Sequence, residues 1–282
     1  MFKSGSKYLI FFVLFFLLLF SWTCKRTVSP GYTDIDAIKD YIITHPSIFS
    51  ADVFNTSSTD PNFYREITKR DNWIRINFYE PDSLHPFRYA NVTWDDSIQG
   101  VFHSFISGNE YIKEFNAFSR VRAYFEQWGD PGNVYRGWLL TKISNLLIYS
   151  LPNSVGFSNL RIDTSGALIY INPDVLYLYE LIPDNKVLQF RQSTEVTFII
   201  QAADTTDSYF LHVYERGAWR KIPFRQVSGK EYKASWTVSS STQDLNIYKH
   251  AYIDCLDSRS VTDSSYRYDS RSWGILYRIK KP

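Results

Sequence analysis

The sequence predicts a mainly β protein, in which an α+β part with helices and a curved antiparallel sheet precedes a β-sandwich. Aromatic residues make up 18% of the 282 residues, with 21 Tyr and 21 Phe, and these residue types favour strands. Apolar residues recur at the helical period near the start of the folded part. Period-two alternation and turn residues dominate the remainder of the chain.

The first 24 residues have the pattern of an export signal. Lys3 and Lys7 precede an apolar run from Tyr8 to Phe20, and the stretch ends at Cys24. As a helix the run reaches ~20 Å, short of the ~30 Å of a bilayer core. The segment resembles a bacterial lipoprotein signal, which implies that Cys24 becomes the lipid-carrying first residue. An uncleaved signal anchor and cleavage without lipid remain open.

The remaining composition limits the partners. The formal charge is +2 without a long basic run, so we expect no nucleic-acid partner. Cys24 and Cys255 are the two cysteines of the chain. If Cys24 carries lipid, Cys255 is expected to be a buried, apolar-like side chain. A disulfide between the two cysteines is the alternative in an oxidising envelope.

Residues 25–33 form a short polar tether, and two helices are predicted after it. Thr33 caps the first, which carries an apolar stripe and ends at Pro46. The second is predicted from Asp60 and Pro61 to about Arg70. The apolar residues that define the two helices are Ile35, Ala37, Ile38, Tyr41, Ile42, Phe63 and Ile67.

An extended pattern follows, with strands predicted at Trp73–Phe78, Asn91–Ile106, Tyr111–Trp128 and Tyr135–Tyr149. Residues 107–109 and 129–133 are predicted turns. This order of two helices and a meander resembles the SnoaL-like, or nuclear-transport-factor-like, cone. In that family the last strands often carry a Gly-Trp followed by alternating apolar residues, as Gly137 to Ile143 do here. The resemblance covers residues 33–150.

Residues 151–160 carry Pro, Asn, Ser and Gly and are the predicted linker between an α+β domain at 34–150 and a β domain at 161–282. About seven short strands follow at a spacing of 8–12 residues, and this part, over 158–281, resembles an immunoglobulin-like β-sandwich in architecture. A helical turn or covering loop is expected at 172–182. The predicted strands are Asn159–Asp163, Glu195–Ala202, Tyr209–Tyr214, Trp219–Phe224, Tyr232–Val238, Tyr248–Asp254 and Trp273–Ile279.

Chemistry-bearing motifs are sparse. The five histidines, His45, His85, His103, His212 and His250, share no metal-ligand spacing, and no metal or cofactor is predicted. The adjacent Asp95 and Asp96 are expected on opposite faces of a strand. The cone resemblance implies a pocket on the concave face of the sheet, for which alternating positions give four candidate lining residues: His103, Tyr124, Glu126 and Trp138.

A second candidate site is an aromatic and basic run near the end of the chain. Residues 264–273 interleave tyrosines, arginines and a tryptophan, the types that dominate binding hot spots. The alternative is an ordinary loop that leads into the last strand. The candidate contact residues are Tyr266, Arg267, Tyr268, Arg271 and Trp273.

These observations predict a non-enzymatic protein of the cell envelope, anchored to a membrane by lipid on Cys24, that acts as a binding or scaffolding module for an envelope protein or glycan. Two alternatives remain open. One is an extracytoplasmic glycan-binding protein that uses exposed aromatic residues. The other is a cone domain that binds a small ligand or catalyses weakly.

Overall fold

The computed structural model describes residues 31–51, 63–151, 154–164, 167–171, 180–215 and 218–281. The predicted signal, Cys24 and residues 25–30 of the tether lie outside these ranges, as does most of the loop expected at 172–182. Three helices are present in the described part: α1 (Asp34–Thr44), α2 (Pro46–Phe49) and α3 (Ser258–Thr262). No helix there is both long and apolar enough to cross a membrane.

The chain is mainly β, as predicted. Its strands are β1 (Phe63–Tyr79), β2 (Tyr89–Ile106), β3 (Asn109–Gln127), β4 (Trp138–Ile143), β5 (Leu146–Ser150), β6 (Phe157–Thr164), β7 (Ala167–Ile171), β8 (Ile182–Pro183), β9 (Leu188–Arg191), β10 (Glu195–Ala202), β11 (Ser208–Glu215), β12 (Ala218–Pro223), β13 (Arg225–Ser228), β14 (Glu231–Thr237), β15 (Lys249–Leu256) and β16 (Ser270–Lys280).

The described strands form two sheets. The larger has the order β1-β2-β3-β5-β16-β15-β11-β12, with β4 and β8 attached beside β3 and with β9 attached beside β16. The smaller has the order β13-β14-β10-β6-β7. Neighbouring strands are antiparallel, except that β9 runs parallel to β16.

The prediction of a second helix is wrong. The described part of that segment, Phe63 to Arg70, belongs to the long strand β1. Phe63 and Ile67, four residues apart, share a face on a helix and equally on a strand, so their spacing did not separate the two structures. Pairing along the whole of β2, with partners from Phe63↔Ser104 to Tyr79↔Tyr89, decides in favour of the strand.

The predicted hairpin at residues 107–109 is confirmed. Ile106 pairs with Asn109, and the two loop residues Ser107 and Gly108 have φ of 51° and 82°. Positive φ at both positions is the type I′ geometry that matches the twist of a hairpin. The single strand predicted at 135–149 is instead divided into a 3₁₀ turn, β4 and β5, since Ser144 and Asn145 interrupt it.

The large sheet continues across the predicted linker at 151–160. Strand β16 from the end of the chain pairs with β5, so the two predicted domains share one sheet.

This sheet also curls strongly. Strands β1 and β15 are five positions apart, which is ~24 Å in a flat sheet. Yet the guanidinium of Arg65 on β1 lies 2.8 Å from the carboxylate of Asp254 on β15.

Two buried cores result from this arrangement. One lies inside the curl, where α1 and α2 pack with residues of β1 to β5, β15 and β16, including Phe102, Phe125 and Trp138. The other lies between the small sheet and the opposite face of β11, β15 and β16, and includes Phe198, Trp236 and Tyr277. Strand β15 separates the two cores, and all eight of its residues are buried.

Candidate functional site

A cavity of about 370 Å³ lies where α2 meets β11, β12 and β15. This volume falls in the range of small-molecule sites. Apolar and aromatic atoms contribute most of the wall, and polar groups are few. The lining residues are Pro46, Ser47, Ser50, Tyr214, Trp219, Lys249 and His250.

Helix α1 fixes the helical side of the cavity. Thr33 caps it, and Asp34 accepts hydrogen bonds from Arg88 at 3.0 Å and Arg136 at 2.7 Å. Pro46 then ends α1 and begins α2, since proline fits the first turn of a helix but lacks the donor that would continue one. The Tyr252 hydroxyl donates to the Ser50 carbonyl at 3.3 Å and ties this segment to β15.

His250 is the most unusual polar group in the cavity wall. Its side chain is 2% exposed, and neither ring nitrogen makes a hydrogen bond of normal geometry with a described group. Burial lowers the pKa of His250 to about 4, and a hydrogen-bonding contact with the Ser47 backbone partly opposes this shift. The ring is therefore neutral at pH 7 and carries one donor and one acceptor. Such groups are usually satisfied by protein, water or ligand.

Lys249 and two aromatic rings form the opposite side. Lys249 is 5% exposed, and its ammonium donates to the Tyr214 carbonyl at 3.4 Å. The Trp219 ring meets the Tyr214 ring edge-on with centroids 5.2 Å apart, and it meets Tyr252 in the same way at 5.5 Å. The cavity thus combines one cationic side chain, one neutral imidazole and an aromatic surface.

A buried ion pair lies deeper in the curl. Arg65 donates to both carboxylate oxygens of Asp254, at 2.8 and 3.2 Å, and its Nε donates to Tyr268 at 2.7 Å. Ser272 donates to the same carboxylate at 2.7 Å, and His212 lies 3.2 Å from it. Arg65, Asp254 and His212 are all 0% exposed.

This network is structural in its geometry. Burial opposes ionisation of Asp254, but the Arg65 guanidinium and the His212 ring hold its pKa well below the usual range. Burial lowers the pKa of His212, against the pull of Asp254, so the imidazole is neutral at pH 7. A histidine beside a carboxylate suits general base catalysis. Here both groups are sealed from solvent, and the carboxylate is held by Arg65.

The four residues of the predicted pocket are not brought together. His103 faces Ile112 across the β2–β3 pair, and Ile112 is 12 residues from Tyr124, ~40 Å along the strand. Glu126 and Tyr124 share a face of β3, whereas Trp138 pairs with Gln127 and so lies on the other face, in the core. The four residues therefore do not line one pocket, because alternation fixes the face of a residue but not its position along a long strand.

His103 instead belongs to a surface cluster. Its Nδ1 lies 2.7 Å from Glu110, and its ring stacks on Tyr64 with centroids 4.1 Å apart. Glu110 is 42% exposed, so this histidine–carboxylate pair lies at the solvent boundary.

Aromatic rings on the other end of the meander form a stack. Tyr79, Tyr89 and Tyr124 follow one another with centroids 4.8 and 5.2 Å apart and nearly parallel planes, and the Lys142 ammonium lies 4.6 Å from the Tyr124 ring. Sugar rings stack on aromatic faces that are turned to solvent. In this stack the faces cover one another, so it is not the coplanar surface that glycan binding would use.

The predicted patch at the end of the chain is partly internal. Tyr268 and Trp273 are 3% and 2% exposed, because Tyr268 accepts the hydrogen bond from Arg65 and Trp273 packs on Phe157. Tyr266, Arg267 and Arg271 remain at or near the surface. The five residues therefore do not form one exposed surface.

Two smaller predictions also have outcomes. Cys255 is a free, fully buried thiol, and burial raises its pKa. Asp95 and Asp96 take different partners, since Asp95 pairs with Arg75 and Arg120 while Asp96 accepts from Ser119. In the described ranges, no group of three or more His, Cys, Asp or Glu side chains is placed to hold a metal ion.

No family model matches the chain, and no curated protein matches it significantly.

Sequence reasoning missed the cavity. Lys249 and His250 belong to the predicted strand Tyr248–Asp254, and the signal for them is a pair of adjacent polar residues at the start of a strand that is otherwise rich in apolar residues. The buried ion pair had no comparable signal, because Arg65 and Asp254 are 189 residues apart.

Proposed function

We propose that this chain is a lipid-anchored protein of a bacterial cell envelope that binds a small molecule without transforming it. The observation that carries the proposal is the cavity of about 370 Å³ between α2 and β15, whose wall combines a buried, neutral histidine with the rings of Tyr214 and Trp219. Its non-catalytic character is supported by the sealed His212–Asp254 pair, which a substrate cannot reach.

The strand order supports an immunoglobulin-like assignment for the second half of the chain. In order, β9, β16, β15, β11 and β12 form one sheet, and β13, β14 and β10 lie in the other. An immunoglobulin-like domain of seven strands has the same distribution. Its third strand and its last two strands share one sheet, and its second, fourth and fifth strands lie in the opposite sheet. We propose that residues from β9 to β16 are such a domain, extended by β6 and β7.

The cone and the anchor are proposals on other grounds. A helix followed by a strongly curled meander agrees with the SnoaL-like resemblance of residues 33–150, although the concave face is filled by core residues. The anchor rests on the apolar run before Cys24 alone. Metabolic labelling with a fatty acid tests it: we expect label on the wild type and none on Cys24→Ala, and label that persists in the variant contradicts the proposal.

Native mass spectrometry tests the cavity. Ser47→Trp places a large ring in the cavity wall, whereas Ile43→Trp places the same ring on an exposed part of α1. We expect protein isolated from its own envelope to carry a small-molecule adduct that is retained in Ile43→Trp and lost in Ser47→Trp. An adduct of equal occupancy in both variants would place the ligand elsewhere.

A further inference from the structure

The outer edge of β1 is a surface to which another strand can add. β1 is a terminal strand of the large sheet, and no strand of the described ranges pairs with its outer edge. Its beginning is covered by β12, the other terminal strand, since the Lys221 ammonium donates to the Phe63 carbonyl at 3.5 Å. We propose that two copies of this chain pair antiparallel along Lys69–Asn77, with a two-fold axis at Trp73.

An edge of this length calls for protection or a partner. Unpaired N–H and C=O groups along a strand are a template for pairing, and proteins commonly block them with a short strand, a proline or a charge. Strand β1 has 17 residues and contains no proline. A bulge lies between Ile67 and Lys69, and the pairing with β2 is regular from Lys69 onward. The backbone beyond the bulge is therefore straight enough to accept a second strand.

Beyond the bulge, alternate side chains of β1 face solvent. Ile74 and Ile76 pack on the core inside the curl, so the residues between and around them lie on the opposite face of the strand. The largest of these is Trp73, which is 44% exposed. Aromatic side chains are enriched at the centres of protein interfaces. The exposed set is Lys69, Asp71, Trp73, Arg75 and Asn77.

Charge selects one register for the pair. With the axis at Trp73, Asp71 of each copy faces Arg75 of the other, and the two indole rings face each other across the axis. An axis at Asn72 would place Lys69 opposite Arg75, and an axis at Asp71 or Arg75 would place that residue opposite itself. Opposite charges across an antiparallel pair stabilise it, and like charges destabilise it. Trp73 is the axis position between Asp71 and Arg75 that sets opposite charges against each other.

The charged side chains can make these contacts without losing their present ones. Asp71 lies 2.6 Å from Lys69, Arg75 lies 3.1 Å from Asp95, and the side chains of Asp71 and Arg75 are more than half exposed. A guanidinium has five donors, so Arg75 can hold both Asp95 and Asp71 of the second copy. None of the lining residues given for the cavity belongs to β1, so this inference does not depend on the proposed binding function.

Disulfide trapping tests the pair. Trp73→Cys places two thiols across the axis, where the Cβ atoms of opposite residues are ~5 Å apart. Asn77→Cys is the control on the same face, because its two thiols would be ~27 Å apart in this register. After mild oxidation of the purified full chain in detergent, we expect the linked dimer of Trp73→Cys to be about five-fold more abundant than that of Asn77→Cys, since a disulfide needs adjacent Cβ atoms. The wild type measures any link through Cys24 or Cys255.

Charge reversal separates this register from any other contact. Asp71→Arg added to Trp73→Cys sets arginines against each other, and the linked fraction should fall to that of Asn77→Cys. Further addition of Arg75→Glu should restore it. Equal linking of Trp73→Cys and Asn77→Cys, or a fraction that Asp71→Arg leaves unchanged, overturns the proposed pairing. A triple variant that keeps the melting temperature of Trp73→Cys and yet stays unlinked overturns the register. If Arg75→Glu disturbs folding through Asp95, the effect of the exposed Asp71→Arg still decides.

Discussion

Removal of Arg65 gives the sharpest prediction for stability. In Arg65→Met, the Asp254 carboxylate keeps its contacts to Ser272 and His212 but loses two hydrogen bonds and its counter-charge. Both partners are 0% exposed, so water cannot take the place of the guanidinium. Breaking one side of a buried pair costs about 3–5 kcal/mol. We expect a loss of that size in the free energy of unfolding, measured with urea at pH 7.

A matched control lies on the same strand. Arg75 donates to Asp95 at 3.1 Å, but its side chain is 61% exposed. Exposed pairs contribute about 0–1 kcal/mol, so Arg75→Met should lower the free energy of unfolding by less than about 1 kcal/mol. A loss for Arg65→Met as small as that for Arg75→Met would refute the buried charge network. Arg65→Met combined with Asp254→Asn should recover part of the loss, because the unpaired charge is gone.

Three further predictions concern pH and domain structure. Burial lowers the pKa of His250 to about 4 in the folded chain, so as pH falls the histidine takes up its proton first in the unfolded chain. The free energy of unfolding therefore falls by about 3 kcal/mol between pH 6.5 and about pH 4. His250→Leu should flatten this slope in urea titrations at several pH values, and an unchanged slope would count against the burial of the ring. Burial and three neighbouring carboxylates raise the pKa of Asp207 to about 6, so the unfolded chain loses this proton first and stability falls as pH rises from about 4 to about 6. Asp207→Asn should therefore raise the free energy of unfolding at pH 7.5 by less than about 2 kcal/mol, after allowance for the partial exposure of the carboxyl, and should change it little at pH 4. Protease cleavage at 154–156 should leave two fragments that co-elute in gel filtration, since β16 pairs with β5; fragments that separate without denaturant would support independent domains.

Strand order along the chain was largely predictable. Seven strands of the second half were predicted, and Glu195–Ala202 agrees with β10 at both ends, because short alternating segments between clear turns carry a strong local signal. Strands β7, β8, β9 and β13 were missed. All four have five residues or fewer, which is too short for a period to show.

The tertiary arrangement was not predictable from the same patterns. The pairing of β16 with β5 joins residues more than 120 positions apart, and nothing local in either segment specifies it. For the same reason, Tyr268 and Trp273 were predicted as possible surface contacts although both are buried. Alternation indicated which residues share a face, but the curl of the large sheet decides which face becomes a core.

The most direct measurement for the proposed binding function is a crystal structure of the protein isolated from its own envelope. Density for a small molecule is expected in the cavity between α2 and β15, against the rings of Tyr214 and Trp219. An empty cavity in protein that carries the mass adduct, or ligand density confined to another part of the surface, would contradict the proposed binding function.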